Sequence, residues 1–252
     1  MVKKYSTIAG VKISIVDLHD VLEEITILLN SSTDVLQMIN YANAHAMNIA
    51  YGDPSFRDIL NGSYMVFCDG FGVKLAAKIL NRKIGQRMTP PDWVDQLFEI
   101  CVKEKKAVYF LGDEDAVVEL FVNKVKEKHP NLIIGGYHNG YFNKNGSEND
   151  MVIDKINSSN CDIILVGMGM PLQEKWIYEN RKRLNVKISL TVGALFKWYC
   201  GYEKRAPKWM TDRGLEWLIR LFLNPRKLFR RYVIGNPVFL FRVLKEKIGI
   251  IG

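Results

Sequence analysis

The sequence predicts an α/β fold, a mostly parallel sheet with helices on both faces, followed by a basic, amphipathic helical C-terminal appendage. Three observations predict it. Short apolar runs alternate with stretches of helical periodicity up to about Gly201. Glycines and polar residues gather where those apolar runs end. The net charge is concentrated in the last fifth of the chain: from Tyr202 onward 12 basic residues face four acidic ones, while the body carries 23 of each.

The elements follow in order. Ser14–Val16 reads as extended and Leu18–Leu29 as a helix, with Asp17 as its N-cap. Val35–Asn40 is a short apolar strand, and a helix follows from about Ala44 to Tyr51. Tyr64–Cys68 is a strand ending at Asp69-Gly70, and Gly72–Leu80 returns as a helix. Pro90-Pro91 precede a helix over Trp93–Lys103, for which Asp92 is the expected N-cap. Ala107–Leu111 is a strand, and residues 112–115 turn into the helix Ala116–Lys128. Leu132–Gly136 is the next strand, while Tyr137–Asn149, rich in Gly and Asn, reads as loop. Met151–Asn157 is helical, Asp162–Gly167 a buried strand, Pro171–Arg183 a helix, and Val186–Val192 the last strand. Strands joined through helices of this length are βαβ units, which demand parallel pairing.

After Gly201 the pattern changes. Arg213–Leu223 is expected as one helix, Pro225 breaks it, and Arg226–Ile234 is a second. Gly235-Asn236-Pro237 reads as a turn before a third helix, Val238–Lys247. Cations interleaved with Trp, Phe, Leu and Tyr on short helices suit a membrane interface. A helical subdomain folded back on the body is the other reading. Such a basic tail calls for an anionic partner, whether lipid headgroups, a lipid-linked diphosphate or nucleic acid. The tail's aromatics sit in leucine-rich helices without a recognisable nucleic-acid-binding module, so no nucleic-acid partner is expected.

Composition sets bounds. With 48% hydrophobic and 25% charged residues the chain is not disordered. Apolar runs such as Val238–Phe241 fall far below the ~18 residues of a membrane span. Residues 10–20 alternate and lack the apolar core of a secretory signal, so a cytoplasmic protein is expected. Cys68, Cys101, Cys161 and Cys200 are widely spaced, without CxxC or a nearby histidine, which fits reduced, packed thiols and no metal site.

Candidate chemistry lies where strands end and helices begin, the place ligands occupy in parallel sheets. Asn43 follows the strand Val35–Asn40, as a polar pocket residue or a helix N-cap. Asp69 ends an apolar strand beside Gly70, well placed for general-base work or, alternatively, to cap the next helix. Arg87, in a loop stiffened by Pro90-Pro91, suits a diphosphate. Gly167-Met168-Gly169-Met170-Pro171 leads from a buried strand into a helix and offers backbone N–H groups to phosphate or nucleobase oxygens, with Gln173 on the first turn. The third glycine of a dinucleotide fingerprint is missing there. Asp113-Glu114-Asp115 has the DxD spacing of a metal-binding motif, but it opens a helix, where acids cap free N–H groups.

In these stretches the chain resembles the bacterial WecG/TagA/CpsF glycosyltransferases, which build teichoic-acid linkage units, enterobacterial common antigen and other surface polysaccharides. The resemblance is carried by Asn43-Ala44-His45, Phe67-Cys68-Asp69-Gly70, Gln86-Arg87-Met88-Thr89 and Val166–Trp176. Val192-Gly193-Ala194, Lys204-Arg205-Ala206-Pro207, Gly214–Arg220 and Asn224-Pro225-Arg226 extend it over nearly the whole chain. It implies a Rossmann-like catalytic domain over residues 1–200 and a membrane-associating helical appendage over 201–252. It also implies an inverting, metal-independent transfer, without a cofactor, from a UDP-sugar donor to a polyprenyl-diphosphate-linked acceptor. In that scheme Asp69 is the base, while Asn43, Arg87, Gly169 and Gln173 bind substrate. Arg205, Arg213, Arg220, Arg226, Arg230 and Arg231 face the membrane and the lipid diphosphate. The protein is then peripheral on the inner face of the cell membrane, and a homo-oligomer is left open. Tyr41, where close relatives often have Thr, and Lys197, where many have Asp, depart from the family pattern. A nucleotide-binding oxidoreductase and a non-catalytic basic membrane adapter are the alternative readings.

Overall fold

The computed structural model describes residues 4–33 and 35–250. Strands β1 (Tyr5–Ile8) and β2 (Val11–Ser14) pair antiparallel across Ala9-Gly10, both in the left-handed region that such a tight turn needs. There follow α1 (Leu18–Asn30), β3 (Gln37–Ala42), α2 (Ala44–Gly52), α3 (Pro54–Asn61), β4 (Met65–Cys68) and α4 (Phe71–Ile79). A single 3₁₀ turn, Pro90–Asp92, leads to α5 (Val94–Lys103), β5 (Ala107–Gly112), α6 (Asp115–Lys128), β6 (Ile133–His138) and α7 (Ser147–Ser158). Next come β7 (Ile163–Gly167), α8 (Leu172–Asn180), β8 (Ile188–Thr191) and α9 (Leu195–Tyr199). The C-terminal stretch holds α10 (Lys208–Asp212), α11 (Glu216–Leu223), α12 (Pro225–Phe229), a wide π turn over Arg230–Ile234, and α13 (Gly235–Lys247).

The α/β class is as the sequence predicts, with several corrections. β1, α3, α9 and α10 are additional elements. β3 lies two residues later than expected, so that Met38–Ala42 are all buried. Asp92 is not the cap of α5; Trp93 occupies that position without a side-chain cap bond. α8 starts at Leu172 and stops at Asn180, a buried residue whose side chain bonds Trp176 O and Asn149. Residues 235–237 are helical rather than a turn. Pro237 has no N–H and its ring crowds the carbonyl four residues back, and the helix is widened just before it.

The chain divides into two compact units. One comprises residues 18–33, 35–40 and 90–203. Its parallel sheet runs in the order β3, β8, β7, β5, β6, with Ile163–Val166 opposite Ile188–Thr191 and Val108–Gly112 opposite Ile163–Gly167. β5 and β7 are buried at every residue, the uninterrupted apolar reading of a strand covered on both faces. Phe98, Phe110, Phe121 and Phe196 interlock in its core, with Phe110 and Phe121 edge to face at 5.0 Å.

The other unit comprises residues 4–17, 41–89 and 204–250. β3 crosses into it at Tyr41, and Asp69 N donates to Ala42 O at 2.9 Å. Val66 N donates to Ser14 Oγ at 3.2 Å, which joins β4 to the hairpin. α13 packs against α2 and α4 through the fully buried Phe239 and Val243. Arg242 stacks 3.9 Å over the Tyr51 ring and donates to Asn48 Oδ1 at 2.7 Å, while Asn48 Nδ2 donates to Gly235 O at 2.6 Å. Glu246 accepts from Ala9 N at 2.8 Å and pairs with Arg82. The C-terminal helices are thus built into the unit that carries the hairpin, and the opposite face of α13 leaves Phe241 and Leu244 exposed, as is Ile248 just past its end.

Candidate active site

Asp69 stands immediately after β4, at the C-terminal end of a fully buried strand. It does not cap α4. That position belongs to Gly70, whose φ of 129° is open essentially to glycine alone. The turn frees the Asp69 carboxylate to meet other partners. Thr89 Oγ1 donates to Oδ1 at 2.9 Å, and Asn43 Nδ2 donates to Oδ2 at 3.4 Å. Arg87 Nη1 in turn donates to Thr89 Oγ1 at 2.9 Å, and its guanidinium lies 5.3 Å over the Phe71 ring. Arg87, Thr89 and Asp69 therefore form one relay that ends on the carboxylate.

Asn43 is the helix N-cap that the sequence allows, and it also reaches Asp69. Its Oδ1 accepts from His45 N and Ala46 N, each at 3.1 Å, which caps α2, while its amide nitrogen reaches Asp69. Burial raises the Asp69 pKa above the ordinary carboxylate value. The bonds from Thr89 and Asn43 and the charges of Arg87 and Arg231 oppose that rise. A half-buried carboxylate with a raised pKa, held by two side-chain donors, is equipped to take up a proton.

The C-terminal residues add charge to the same site. Arg231, in the π turn, is close enough to act on both Asp69 and His45. Its Nε is buried without a hydrogen-bond partner among the described residues. Burial first, then Arg231, pushes the His45 imidazole down to about 4 and keeps it neutral. Glu216 rises through burial and through Asp69, against the charges of Arg205, Arg220 and Arg87, and Arg205 Nη2 lies 3.9 Å from its carboxylate. Four guanidiniums thus accompany two acids here. Such an excess of fixed positive charge fits a diphosphate.

Of the six tail arginines singled out in the sequence, Arg205, Arg220 and Arg231 are half-buried and act on this cluster. Arg213, Arg226 and Arg230 are exposed. Thr89, bonded to Asp69, and His45, within reach of Arg231, are residues that sequence reasoning does not single out. Thr89 lies two residues past Arg87 in a segment without regular structure, close enough for the two side chains to bond, and that short spacing is the signal that could have found it.

Gly169 and Gln173 belong to the other unit, after β7. Gly169 has a φ of 81°. Its N–H is not free, as the sequence suggests, but donates to Gln173 Oε1 at 3.1 Å, and Gly193 N donates to the same oxygen at 3.3 Å. Gln173 is fully buried, and its amide holds together the loops that follow β7 and β8. Asp113, buried beside β5, pairs with Lys197 at 3.2 Å and accepts from Glu114 N, while Asp115 opens α6 and accepts from Asn139. Lys197, one of the two departures, is therefore the counter-ion of the first DxD acid; it also lies 3.9 Å from Glu203. Tyr41, the other, is buried 6.1 Å from the Phe67 ring.

A sequence model described as the glycosyl transferase WecG/TagA/CpsF family matches residues 6–250. The chain belongs to this family of glycosyltransferases. Its relatives include an N-acetylglucosaminyldiphosphoundecaprenol N-acetyl-beta-D-mannosaminyltransferase of Bacillus subtilis (strain 168), 31% identical over 210 residues, 83% of this chain and 80% of the relative. A protein of the same name from Staphylococcus aureus (strain NCTC 8325 / PS 47) is 27% identical over 222 residues, 88% of this chain and 85% of the relative.

Proposed function

We propose that this family member is an inverting, metal-independent glycosyltransferase. It moves a hexose or N-acetylhexosamine-type sugar from a UDP-sugar to an undecaprenyl-diphosphate-linked saccharide, in the building of a cell-surface polysaccharide. The names of the relatives support the acceptor class. The observation that carries the mechanism is the Asp69 carboxylate, bonded by Thr89 and Asn43 and accompanied by Arg87 and Arg231.

In this reading Asp69 takes the proton of the acceptor hydroxyl as its oxygen attacks the anomeric carbon. The bond from that carbon to the UDP oxygen breaks, and UDP departs with the electron pair. Guanidiniums stabilise the charge that develops on the leaving diphosphate, as fixed donors do in other group transfers. Thr89 and Asn43 favour the ionised carboxylate, against the effect of burial. Gly169 and Gln173 form the donor-side loop.

The chain acts at the inner surface of the cell membrane. Phe222, Phe241 and Ile248 are 80%, 58% and 69% exposed, beside the exposed Arg226, Arg230 and Lys247. Exposed apolar side chains mixed with cations suit an interfacial helix. Among the described residues no helix is long and apolar enough to cross a membrane.

The test is UDP release from a panel of UDP-sugars, with a polyprenyl-diphosphate-linked GlcNAc or glucose acceptor and EDTA present. Acceptor-dependent release with one donor supports the proposal. Release that EDTA abolishes would overturn metal independence, and silence together with no UDP binding by calorimetry would overturn the donor class.

A further inference from the structure

Glu174 is fully buried on the first turn of α8, next to Gln173. Its Oε1 accepts from Gln173 Nε2 at 2.8 Å, while Oε2 has no hydrogen-bond partner among the described residues. A buried carboxyl with an idle oxygen is costly, and a leucine at this position would avoid the cost. The local geometry shows what the carboxyl does. The Gln173 amide has one oxygen and one nitrogen, and only one orientation serves its surroundings. Gly169 N and Gly193 N are donors and need the oxygen. Glu174 is the acceptor that draws the nitrogen to the other side. An apolar residue at 174 would leave that nitrogen without an acceptor and remove the preference between the two orientations.

We propose that Glu174 is a positioning residue for donor binding. It fixes the direction of the Gln173 amide and thereby clamps the loop after β7 to the loop after β8. The inference rests on the reading of the Gly169 loop as the donor side. Burial also pushes the Glu174 pKa up to about 7, so the group accepts from Gln173 without carrying a full charge at neutral pH. Gln173 and the backbone N–H of Glu174 itself oppose that rise, and no charged neighbour contributes to it.

The experiment compares the full chain with Glu174→Gln and Glu174→Leu, reading amide hydrogen exchange at Gly169 and Gly193 and the affinity for UDP by calorimetry. In Glu174→Leu, exchange at both glycines accelerates and UDP binds about tenfold more weakly, the effect of roughly one hydrogen bond. Glu174→Gln keeps an acceptor oxygen and restores both readouts. Should the leucine variant not fold, Glu174→Asp, which retracts the carboxyl by one methylene, takes its place. Unchanged exchange at both glycines in the leucine or aspartate variant would overturn the clamp, as would a glutamine variant impaired as badly as leucine. A wild-type chain that binds no UDP would sink the donor reading instead, and exchange would still decide whether Glu174 holds the loops.

Discussion

Replacing Glu174 by glutamine should change how stability depends on pH, and the size of the change follows from burial. The carboxyl is fully buried, and its pKa moves from an ordinary 4.5 to about 7. Below 4.5 both the folded and unfolded chains hold the proton. Between 4.5 and about 7 the folded chain keeps it and the unfolded chain releases it, so stability falls as pH rises through this window and levels off above it. At about 1.36 kcal/mol per pH unit, the full loss is about 3 kcal/mol. Glutamine does not titrate, so the variant escapes the loss. Thermal melting followed by circular dichroism at about pH 5 and about pH 8 reads the difference between variant and wild type. Part of the loss has already occurred at pH 5, so that difference should grow toward alkaline pH by about 5–10 °C for a chain of this size. Asp69, Asp113 and Glu216 also rise through burial, but they are present in both proteins and cancel. A constant offset between the two melting curves at all pH values would refute the reasoning.

Other expectations follow from the same geometry. Asp69→Asn should cut kcat by about 10²–10⁴ while UDP binding by calorimetry stays close to wild type. Because the Asp69 pKa is raised and the base must be ionised, the wild-type rate should fall as pH is lowered through that value. Thr89→Val removes a donor that favours the ionised form, so the acid limb of the kcat/KM profile should move to higher pH. Arg231→Gln should let the His45 pKa rise from about 4, and only part of the way because burial is the larger cause; an NMR titration of the imidazole reads it. Phe239→Ala should cost about 3–5 kcal/mol in urea unfolding, since the ring is fully buried where α13 meets α4.

Much of this architecture is written locally. Unbroken apolar runs make the buried strands legible: Ile163–Gly167 and Ala107–Gly112 are apolar throughout and end in glycine. β1 is not legible because Tyr5–Ile8 is short and half polar, and it becomes a strand only through its partner β2. α3 has its signals in plain view, with Asp53 as cap and Pro54 in the first turn, but its polar outer face hides the buried Phe56, Ile59 and Leu60. Asp69 and Asn43 are readable as candidates because strand ends are where ligands collect. The parts played there by Thr89 and Arg231 are not, because their meeting with Asp69 depends on chain segments 20 and more residues away. The bonds of Gln173 to Gly169, Gly193 and Glu174 are not legible either, for a physical reason. A polar side chain beside a glycine loop looks ligand-facing, and burial of the whole side chain is a tertiary fact.

The wide turn at Arg230–Ile234 amounts to one residue more than an α-helix would use over the same length, and each residue advances a helix by about 100°. It therefore resets the phase between the two halves of a continuous rod. Near its start Arg231 brings its charge to Asp69; beyond its end Phe239, Arg242 and Val243 all keep their grip on the scaffold. Deleting a single residue there would leave the composition almost untouched, yet it would turn the charge away from Asp69 or pull the anchor from its seat. The reach of that arginine is set by counting residues along the helix.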